Sequence, residues 1–505
     1  MKKIMTRLLS LVLLGAFIPS FVLAETWDLG KGDITVTATE TSQTVSQVNG
    51  ETKDDPDPVI TSSGKTENTV TINAETNATA NVTLENVNID TGTRGGAAIT
   101  TSGEGNVNIE LNGTNTVQSG NTHAGVEKKD NGTLTITDED KDGSLTATGG
   151  NYGAGIGGGY EGSGSNIAIE GGNVKAIGGT HGAGIGGGFG GSGSNIAIEG
   201  GKVEASSVGG GAGIGGGSIG SGSGITVSGG EVTAQGGVGG AGIGGGQGGS
   251  GSNITISDGK VTATGAGAGA GIGGGYEGSG KGITIEGGEV TAQGDAGGAG
   301  IGGGISGTGS DVTISGDAQV KVQGGTTGRD WHKGAAIGNG GTPTTDGNEV
   351  SPNTSDLKVG GFIQIYEPGK NINTDTPDRT IEGQKGDHSW NAGEVTAETV
   401  PESKAAAYWV SDSQGQSIPY QAQQKDGVLT VTVQADTASL RGTTGSLSQL
   451  EAQGITGIRF VTNGAQSAFT LSDLLTSGTG SFTLTHDGDK VTFTLESKDI
   501  SGILK

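Results

Sequence analysis

The stretch GAGIGGG at residues 153–159 recurs five more times in this chain of 505 residues. The later copies are spaced 29 residues apart and begin at Gly182, Gly211, Gly240, Gly269 and Gly298. Self-similarity at a fixed period of about 20–50 residues is typical of stacked repeats, in which each repeat packs on its neighbours. The chain has 109 glycines, a content that would indicate low complexity without such a period. The period instead predicts an elongated solenoid.

Each repeat contains two further segments in which apolar and small residues alternate. The first reads as Ile167-Ala-Ile169 or Ile254-Thr-Ile256, and the second as Val203-Glu-Ala205 or Val232-Thr-Ala234. Alternation with a period of two is typical of a strand with one buried face. The glycine segment adds one large side chain per repeat, such as Ile156, and its glycines permit close backbone approach. Three short strands per repeat therefore predict an all-β fold, a parallel β-helix.

Two other architectures explain the repeats less well. A bundle of polyproline-type helices would not explain the alternating segments, and a propeller blade needs four strands and usually a longer repeat. We predict about nine coils over residues 70–341, preceded by a cap region at 25–69 and followed by a linker at 342–402. Strand-like runs, a helical run at Leu447–Gln453 and a hairpin then predict a small α+β domain at 403–505.

The N-terminus has the pattern of a secretory signal peptide, residues 1–24. Basic residues at positions 2, 3 and 7 precede an apolar run, and Ala24 stands at a small-residue cleavage position. An uncleaved membrane anchor is the alternative, but the run is short for a bilayer and contains Pro19. We therefore predict a secreted protein, either extracellular or held at the cell surface by non-covalent contacts.

The charge and the cysteine content restrict the partners. The chain has no cysteine, which excludes disulfides, thiolate metal sites and a lipid-modified cysteine. The net charge of −25, from 28 Lys and Arg against 53 Asp and Glu, argues against nucleic acid and anionic membranes. Cations and neutral polymers remain, and we expect no membrane insertion. The sequence does not set the oligomeric state.

The regular repeats offer little for catalysis. A β-helix enzyme that cleaves acidic polysaccharide needs a basic residue beside carboxylates that hold a metal, and no coil within residues 151–330 carries both. One charged column follows the 29-residue period, which we interpret as a solvated ladder: Lys202, Glu231, Lys260 and Glu289. We therefore expect a protein that is not an enzyme, with a polysaccharide lyase as the third-ranked alternative.

An acidic loop is the candidate metal site. Asp138, Asp140 and Asp142 alternate before Gly143, so three carboxylates could converge on one hard cation, as in the first half of an EF-hand loop. The twelfth position of such a loop is Gly149 instead of the bidentate glutamate. Calcium is the one cofactor that we expect, and a simple acidic turn is the alternative.

Aromatic residues recur beside the glycine segments. Tyr160, Phe189 and Tyr276 directly follow GAGIGGG in three of six coils, and Tyr152 and His181 precede it in two. An aromatic ring can stack on the apolar face of a sugar ring. We predict that these five residues bind carbohydrate, while the alternative is that they only cover the corners of the core. Nearby asparagines could add hydrogen bonds to hydroxyl groups: Asn166 and Asn195.

Over roughly residues 70–340 the chain resembles the secreted, glycine-rich β-helix proteins of clostridia and related gut bacteria that are described as carbohydrate-binding-domain proteins. The resemblance rests on Asn81-Val-Thr-Leu-Glu-Asn-Val-Asn-Ile89, Asn106-Val-Asn-Ile-Glu-Leu-Asn-Gly113, Gly132-Thr-Leu-Thr-Ile136 and the glycine segments. It implies a right-handed parallel β-helix that binds plant-type polysaccharide, with calcium as an optional ion and without demonstrated cleavage. We therefore predict a secreted non-catalytic polysaccharide-binding protein, with a surface adhesin or a structural matrix protein as the runner-up.

Overall fold

The computed structural model describes residues 24–48, 50, 52–129, 131–326, 332–354, 357, 360–382, 408–412, 420–425, 427–433, 435–444, 447, 450, 455–478, 480–495 and 498–504. The predicted signal peptide lies outside these residues except for Ala24. The chain divides into two units, residues 1–392 and 393–505. Within the described residues, no helix has the length and apolar character needed to span a bilayer.

The first unit is a right-handed parallel β-helix with three long sheets, as predicted. Sheet 1 contains the Ile-X-Ile segments, sheet 2 the Val-X-Ala segments and sheet 3 the glycine segments, with 11, 11 and 13 strands respectively. One coil runs from Ile156–Gly157 in sheet 3 through Gly164–Ile169 in sheet 1 to Asn173–Gly178 in sheet 2. Equivalent residues of successive coils are direct partners, such as Ile167 and Ile196.

The strands of each sheet follow the axis of the unit. Those of sheet 1 are Thr26–Asp28, Val59–Thr61, Thr79–Glu85, Asn106–Asn112, Leu134–Thr137, Gly164–Ile169, Gly193–Ile198, Gly222–Val227, Gly251–Ile256, Gly280–Ile285 and Gly309–Ile314. Those of sheet 2 are Asn88–Asp90, Thr114–Gln118, Ser144–Thr148, Asn173–Gly178, Lys202–Ser207, Glu231–Val238, Lys260–Ala266, Glu289–Gln293, Gln319–Gln323, Phe362–Tyr366 and Arg379–Glu382. Those of sheet 3 are Lys53–Asp54, Gln43–Gln47, Ile34–Ala38, Val70–Ala74, Ile99–Gly103, Val126–Lys128, Ile156–Gly157, Ile185–Gly186, Ile214–Gly215, Ile243–Gly244, Ile272–Gly273, Ile301–Gly302 and Ile337–Gly338.

The solenoid is longer than the predicted nine coils. Val59–Thr61 and Ile34–Ala38 already pair in parallel with the following coil, inside the region predicted as a cap. At the other end, Phe362–Tyr366 pairs in parallel with Gln319–Gln323, inside the region predicted as a linker. The sequence did not reveal these coils because they lack both the 29-residue spacing and the glycine motif.

Both ends of the unit carry antiparallel strands. Gln43–Gln47 pairs antiparallel with Ile34–Ala38 at one end of sheet 3, and Lys53–Asp54 extends this hairpin. Arg379–Glu382 pairs antiparallel with Phe362–Tyr366 at one end of sheet 2. A short 3₁₀ helix, Leu29–Lys31, lies in the first coil. These strands cover sheet edges that would otherwise be open to pairing with another chain.

The core is a stack of aliphatic side chains with one set per coil. Within one coil, five residues are at most 1% exposed: Ile156, Ile167, Ile169, Val174 and Ala176. They belong to one continuous cluster along the unit. The regular coils need glycine beside this core, because a Cβ atom on Gly157 would lie 2.1 Å from the carbonyl oxygen of Gly186. The glycine segments are therefore the points where successive coils touch through their backbones.

The second unit, residues 393–505, contains two sheets and little helix. A 5-stranded sheet comprises Tyr408–Ser411, Thr437–Thr443, Ser481–Asp487, Lys490–Leu495 and Lys498–Asp499, and a 4-stranded sheet Gln421–Lys425, Val428–Thr432, Gly457–Val461 and Gln466–Thr470. Among the described residues, the helices include α1, Leu471–Thr476, and a 3₁₀ helix, Ser501–Ile503. Leu447, in the predicted helical run, is helical and buried. The core includes four phenylalanines, Phe460, Phe469, Phe482 and Phe493.

Candidate functional site

Four of the five predicted carbohydrate-binding residues lie together on two neighbouring coils. The rings of Tyr152 and His181 are stacked with centroids 5.2 Å apart, and those of Tyr160 and Phe189 with centroids 5.7 Å apart. The two stacks meet edge-on, because Tyr152 and Tyr160 are inclined at 88° and His181 and Phe189 at 76°. We call these four residues the aromatic cluster. Offset and edge-on contacts of this kind stabilise ring pairs by about 0.5–1.5 kcal/mol beyond their buried area.

The repeat itself places these rings. Ile156 and Ile185 are direct partners in sheet 3, so residues at equal distances from them lie one coil apart, at roughly 4.8 Å. The residues that follow Tyr160 and Phe189 have a left-handed backbone, with φ 57° at Glu161 and 74° at Gly190. A tight corner therefore follows Tyr160 and Phe189, and both rings lie where the chain turns from sheet 3 into sheet 1.

Tyr160 is the accessible ring of the aromatic cluster. Its side chain is 47% exposed, whereas the other three rings are half-buried. Tyr160 is more exposed than the other three rings because the surface has a step between its coil and the preceding coil. The connection from sheet 3 to sheet 1 runs from Gly157 to Ile167 here and from Glu127 to Leu134 in the preceding coil, which makes it three residues shorter there. The corner at Tyr160 therefore overhangs the preceding coil.

The hydroxyl of Tyr160 remains a hydrogen-bond donor at neutral pH. The charge of the adjacent Glu161 carboxylate, to which the hydroxyl is hydrogen-bonded, raises the pKa of Tyr160. Within the cluster, the Nδ1 atom of His181 is buried and has no hydrogen-bond partner among the described residues. Burying an unpaired polar atom costs about 1–3 kcal/mol, so a hydroxyl group that reached this nitrogen would gain a favourable contact.

Tyr276, the fifth predicted residue, lies apart from the aromatic cluster. It is three repeats beyond Phe189, with Ser218 and Gln247 at the positions between them. At roughly 4.8 Å per coil this separation is about 14 Å along the axis. Desolvation, followed by the nearby Glu277 carboxylate, raises the pKa of Tyr276. The structure therefore provides one cluster and one separate tyrosine instead of a continuous column.

The two asparagines predicted to assist the aromatic residues, Asn166 and Asn195, make hydrogen bonds within the protein. Asn166 and Asn195 have left-handed backbones, with φ 55° and 51°. The Asn195 Nδ2 atom donates to Asn166 Oδ1 at 3.1 Å, and Asn166 Nδ2 donates to the carbonyl oxygen of Asn131 at 2.8 Å. Their amides are thus engaged in a ladder between coils.

The acidic loop does not bring its three carboxylates together. The Oδ1 atom of Asp138 accepts hydrogen bonds from the backbone amides of Asp142 at 3.2 Å and Gly143 at 3.1 Å. Asp140 and Asp142 are exposed. Across the described residues, no group of three His, Cys, Asp or Glu side chains could hold a metal ion. Calcium at this loop therefore stays a prediction.

A buried carboxylate beside the aromatic cluster was missed by the sequence analysis. Glu127 is 3% exposed and lies 2.7 Å from His123 Nδ1 and 2.7 Å from Lys129 Nζ. It occupies the position that is Gly157 in the next coil, and its Oε2 atom would lie 2.9 Å from a Cβ atom on Gly159. In the sequence, this carboxylate could have been found from the glutamate at position 127, where the regular coils have a sheet 3 glycine.

Comparison with known proteins supports the architecture. A family model described as beta helix repeat matches residues 141–160, 167–189, 196–218, 225–247, 254–276 and 283–305. The aromatic cluster lies within the first two of these segments. Neither a curated protein nor a solved structure matches the chain. The matched segments and the three parallel sheets together support a β-helix protein.

Proposed function

We propose that this protein is a secreted, non-catalytic polysaccharide-binding protein whose β-helix presents the aromatic cluster to a sugar chain. The observation that supports this proposal most is the contiguity of Tyr152, Tyr160, His181 and Phe189, with Tyr160 about half exposed at the step. An aromatic ring face can stack on a sugar ring, and a tyrosine hydroxyl can hydrogen-bond to a sugar hydroxyl.

The rigidity of the site favours binding. Each ring belongs to a corner whose backbone is hydrogen-bonded to the neighbouring coil, such as the Tyr160 amide to the carbonyl oxygen of Thr122 at 2.7 Å. A preformed site loses little conformational entropy when a ligand binds. The net charge of −25 further favours neutral over anionic polymers as ligands.

Removing the rings of Tyr160 and Phe189 tests this proposal. For Tyr160→Ala/Phe189→Ala in the mature chain, residues 25–505, we expect retention on polysaccharide to weaken about tenfold or more, because the stacking surface is lost. Affinity electrophoresis through a panel of soluble plant polysaccharides measures this. Tyr276→Ala tests the fifth predicted residue separately, since Tyr276 lies outside the aromatic cluster. Parental retention by the double variant would contradict the proposal.

Two further measurements on the same samples test calcium and catalysis. If the parent loses retention in EDTA and regains it when calcium is added, while Asp140→Asn/Asp142→Asn does not respond to calcium, the ion is assigned to the acidic loop.

Release of oligosaccharides with new reducing or unsaturated ends would overturn the non-catalytic assignment. In that case His123 and Glu127 would be the first residues to substitute, because a buried carboxylate against imidazole Nδ1 orients the ring as in a general base.

A surface adhesin or structural matrix protein is the second candidate. Three apolar side chains on neighbouring coils are largely exposed: Val208 at 66%, Ile219 at 63% and Val238 at 66%. Exposed apolar side chains on neighbouring coils can contribute to contact with another protein. This candidate requires association with a protein surface and no preference among glycans.

A further inference from the structure

A groove of about 520 Å³ lies on the outer face of sheet 1, in the coils that precede most of the glycine repeats. Its floor consists of two rows of side chains from three successive strands, the first row being Asn81, Asn108 and Thr135, and the second Thr83, Glu110 and Thr137. The members of each row are direct partners, so the rows run along the axis of the unit. At roughly 4.8 Å per coil the rows extend over about 10 Å between backbones.

The groove ends where the sequence becomes regular. In the next coil the position after Thr135 in its row is Ala168, which has no polar group, and Ala197 follows it. Glu170 closes the groove on this side, and Pro56 and Asp57 line it at the opposite end. The concavity therefore lies in the irregular coils.

Part of the floor is fixed by hydrogen bonds within the protein. Asn108 Nδ2 donates to Asn81 Oδ1 at 2.9 Å, and Thr137 Oγ1 donates to Glu110 Oε2 at 2.5 Å. The other oxygen of Glu110 accepts from the backbone amide of Glu139 at 2.8 Å. These bonds hold the carboxylate and the amide ladder in one geometry before any ligand arrives.

The remaining groups are available to a ligand. Among the described residues, the side chains of Thr83, Thr135 and Glu170 make no hydrogen bond or ion pair within the protein. All three line the groove, and the two threonines are half-buried in its floor. The groove thus presents two unpaired hydroxyls and one unpaired carboxylate, so it can both donate hydrogen bonds to a ligand and accept them from it.

We propose that this groove is a second binding site, for an uncharged stretch of polysaccharide that lies along the coils. The inference rests on the proposed function and adds the site and the class of polymer. Among the described residues, the lining contains four carboxylates and no Lys, Arg or His: Asp57, Glu110, Glu139 and Glu170. A polyanionic chain would be repelled, whereas the hydroxyls of a neutral sugar can donate charge-assisted hydrogen bonds to the Glu170 carboxylate. The groove lacks aromatic residues, so it would recognise hydroxyl groups and not ring faces.

The test replaces the free hydroxyls without changing side-chain shape. For Thr83→Val/Thr135→Val we expect retention of xyloglucan, galactomannan or mixed-linkage β-glucan to weaken roughly 10- to 100-fold, because two hydrogen bonds are lost. Thr255→Val/Thr284→Val is the matched control, since these threonines are also half-buried on sheet 1 but lie outside the groove. Thermal unfolding of both variants confirms that the fold is intact.

The outcomes separate this inference from the proposed function. Weakened binding by the groove variant with an unchanged control supports the groove. Unchanged binding by the groove variant, together with a loss in Tyr160→Ala/Phe189→Ala, overturns the groove and leaves the aromatic cluster in place. If neither variant binds more weakly, both proposals are wrong. Stronger retention of chitosan than of any neutral polymer, abolished by Glu170→Gln, would overturn the assignment to an uncharged ligand.

Discussion

Single glycines in sheet 3 determine whether the coils can stack. Gly186 has φ 130°, and a Cβ atom there would lie 2.0 Å from the carbonyl oxygen of Gly215. A clash with backbone cannot be relieved by rotation of a side chain. The coil above would therefore have to move, which disrupts the hydrogen bonds between the two coils.

We expect Gly186→Ala to lower the free energy of unfolding of the β-helix by about 2–4 kcal/mol, because the clash adds to an unfavourable φ. Urea unfolding followed by circular dichroism measures this. Gly64→Ala is the control, since a Cβ atom at Gly64 has no neighbour within 4 Å. Equal stability of the two variants would show that the contact between Gly186 and Gly215 is not required.

At the scale of strands, the register is set by the apolar stacks and not by the charges. The predicted charge ladder is present, because Lys202 pairs with Glu231 and Lys260 with Glu289 in sheet 2. However, the Lys260 ammonium lies 3.7 Å from the Glu231 carboxylate, and both side chains are more than half exposed. Exposed ion pairs contribute about 0–1 kcal/mol, so the ladder adds little stability.

A pH-sensitive carboxyl group lies beside Ile337–Gly338, the last strand of sheet 3. Glu349 is exposed as a residue, but its carboxyl group accepts hydrogen bonds from the backbone amides of Ala336 at 2.8 Å and Ile337 at 3.3 Å. Desolvation of this carboxyl group raises its pKa above the ordinary 4.5. Because the folded state holds this proton more tightly than the unfolded state, the contribution of Glu349 to stability is greatest below pH 4.5. It decreases as the pH rises through the raised pKa.

We expect Glu349→Gln to remove this decrease. The difference in melting temperature between the variant and the parent should therefore change in favour of the variant as the pH rises from 4.5 to 8. The contributions of other titrating groups are the same in the variant and the parent, so they cancel in this difference. One example is Asp33, whose pKa is lowered by Arg94 and whose contribution to stability therefore changes with pH in the opposite direction. A difference that is constant with pH would show that Glu349 titrates normally.

The sequence predicts those elements that the period repeats. The strand that contains Ile156 recurs at 29-residue intervals, so one coil predicts the next five, and with them the position of Tyr160 above Phe189. The groove could not be predicted in this way. Thr83 and Thr135 alternate with apolar residues like any exposed strand residues, and their concave setting depends on Asp57, which lies in a distant loop.

For the whole molecule, the exposed apolar residues make a prediction about assembly. If the protein is an adhesin or matrix component, Val208, Ile219 and Val238 should be buried in contacts between molecules. Sedimentation velocity should then show association by the parent, and Val208→Ser/Ile219→Ser/Val238→Ser should weaken it about tenfold or more. A parent that remains monomeric at high concentration would remove this candidate.

The regular coils also allow the first unit to change length without changing its ends. Each coil between Gly193 and Ile285 pairs only with the coil before it and the coil after it. Deleting or duplicating one 29-residue repeat there would shift the end at Glu349 by roughly 4.8 Å relative to the step at Tyr160. Recombination between near-identical repeats could therefore produce longer and shorter spacers, while the irregular coils with the groove and the step are inherited unchanged.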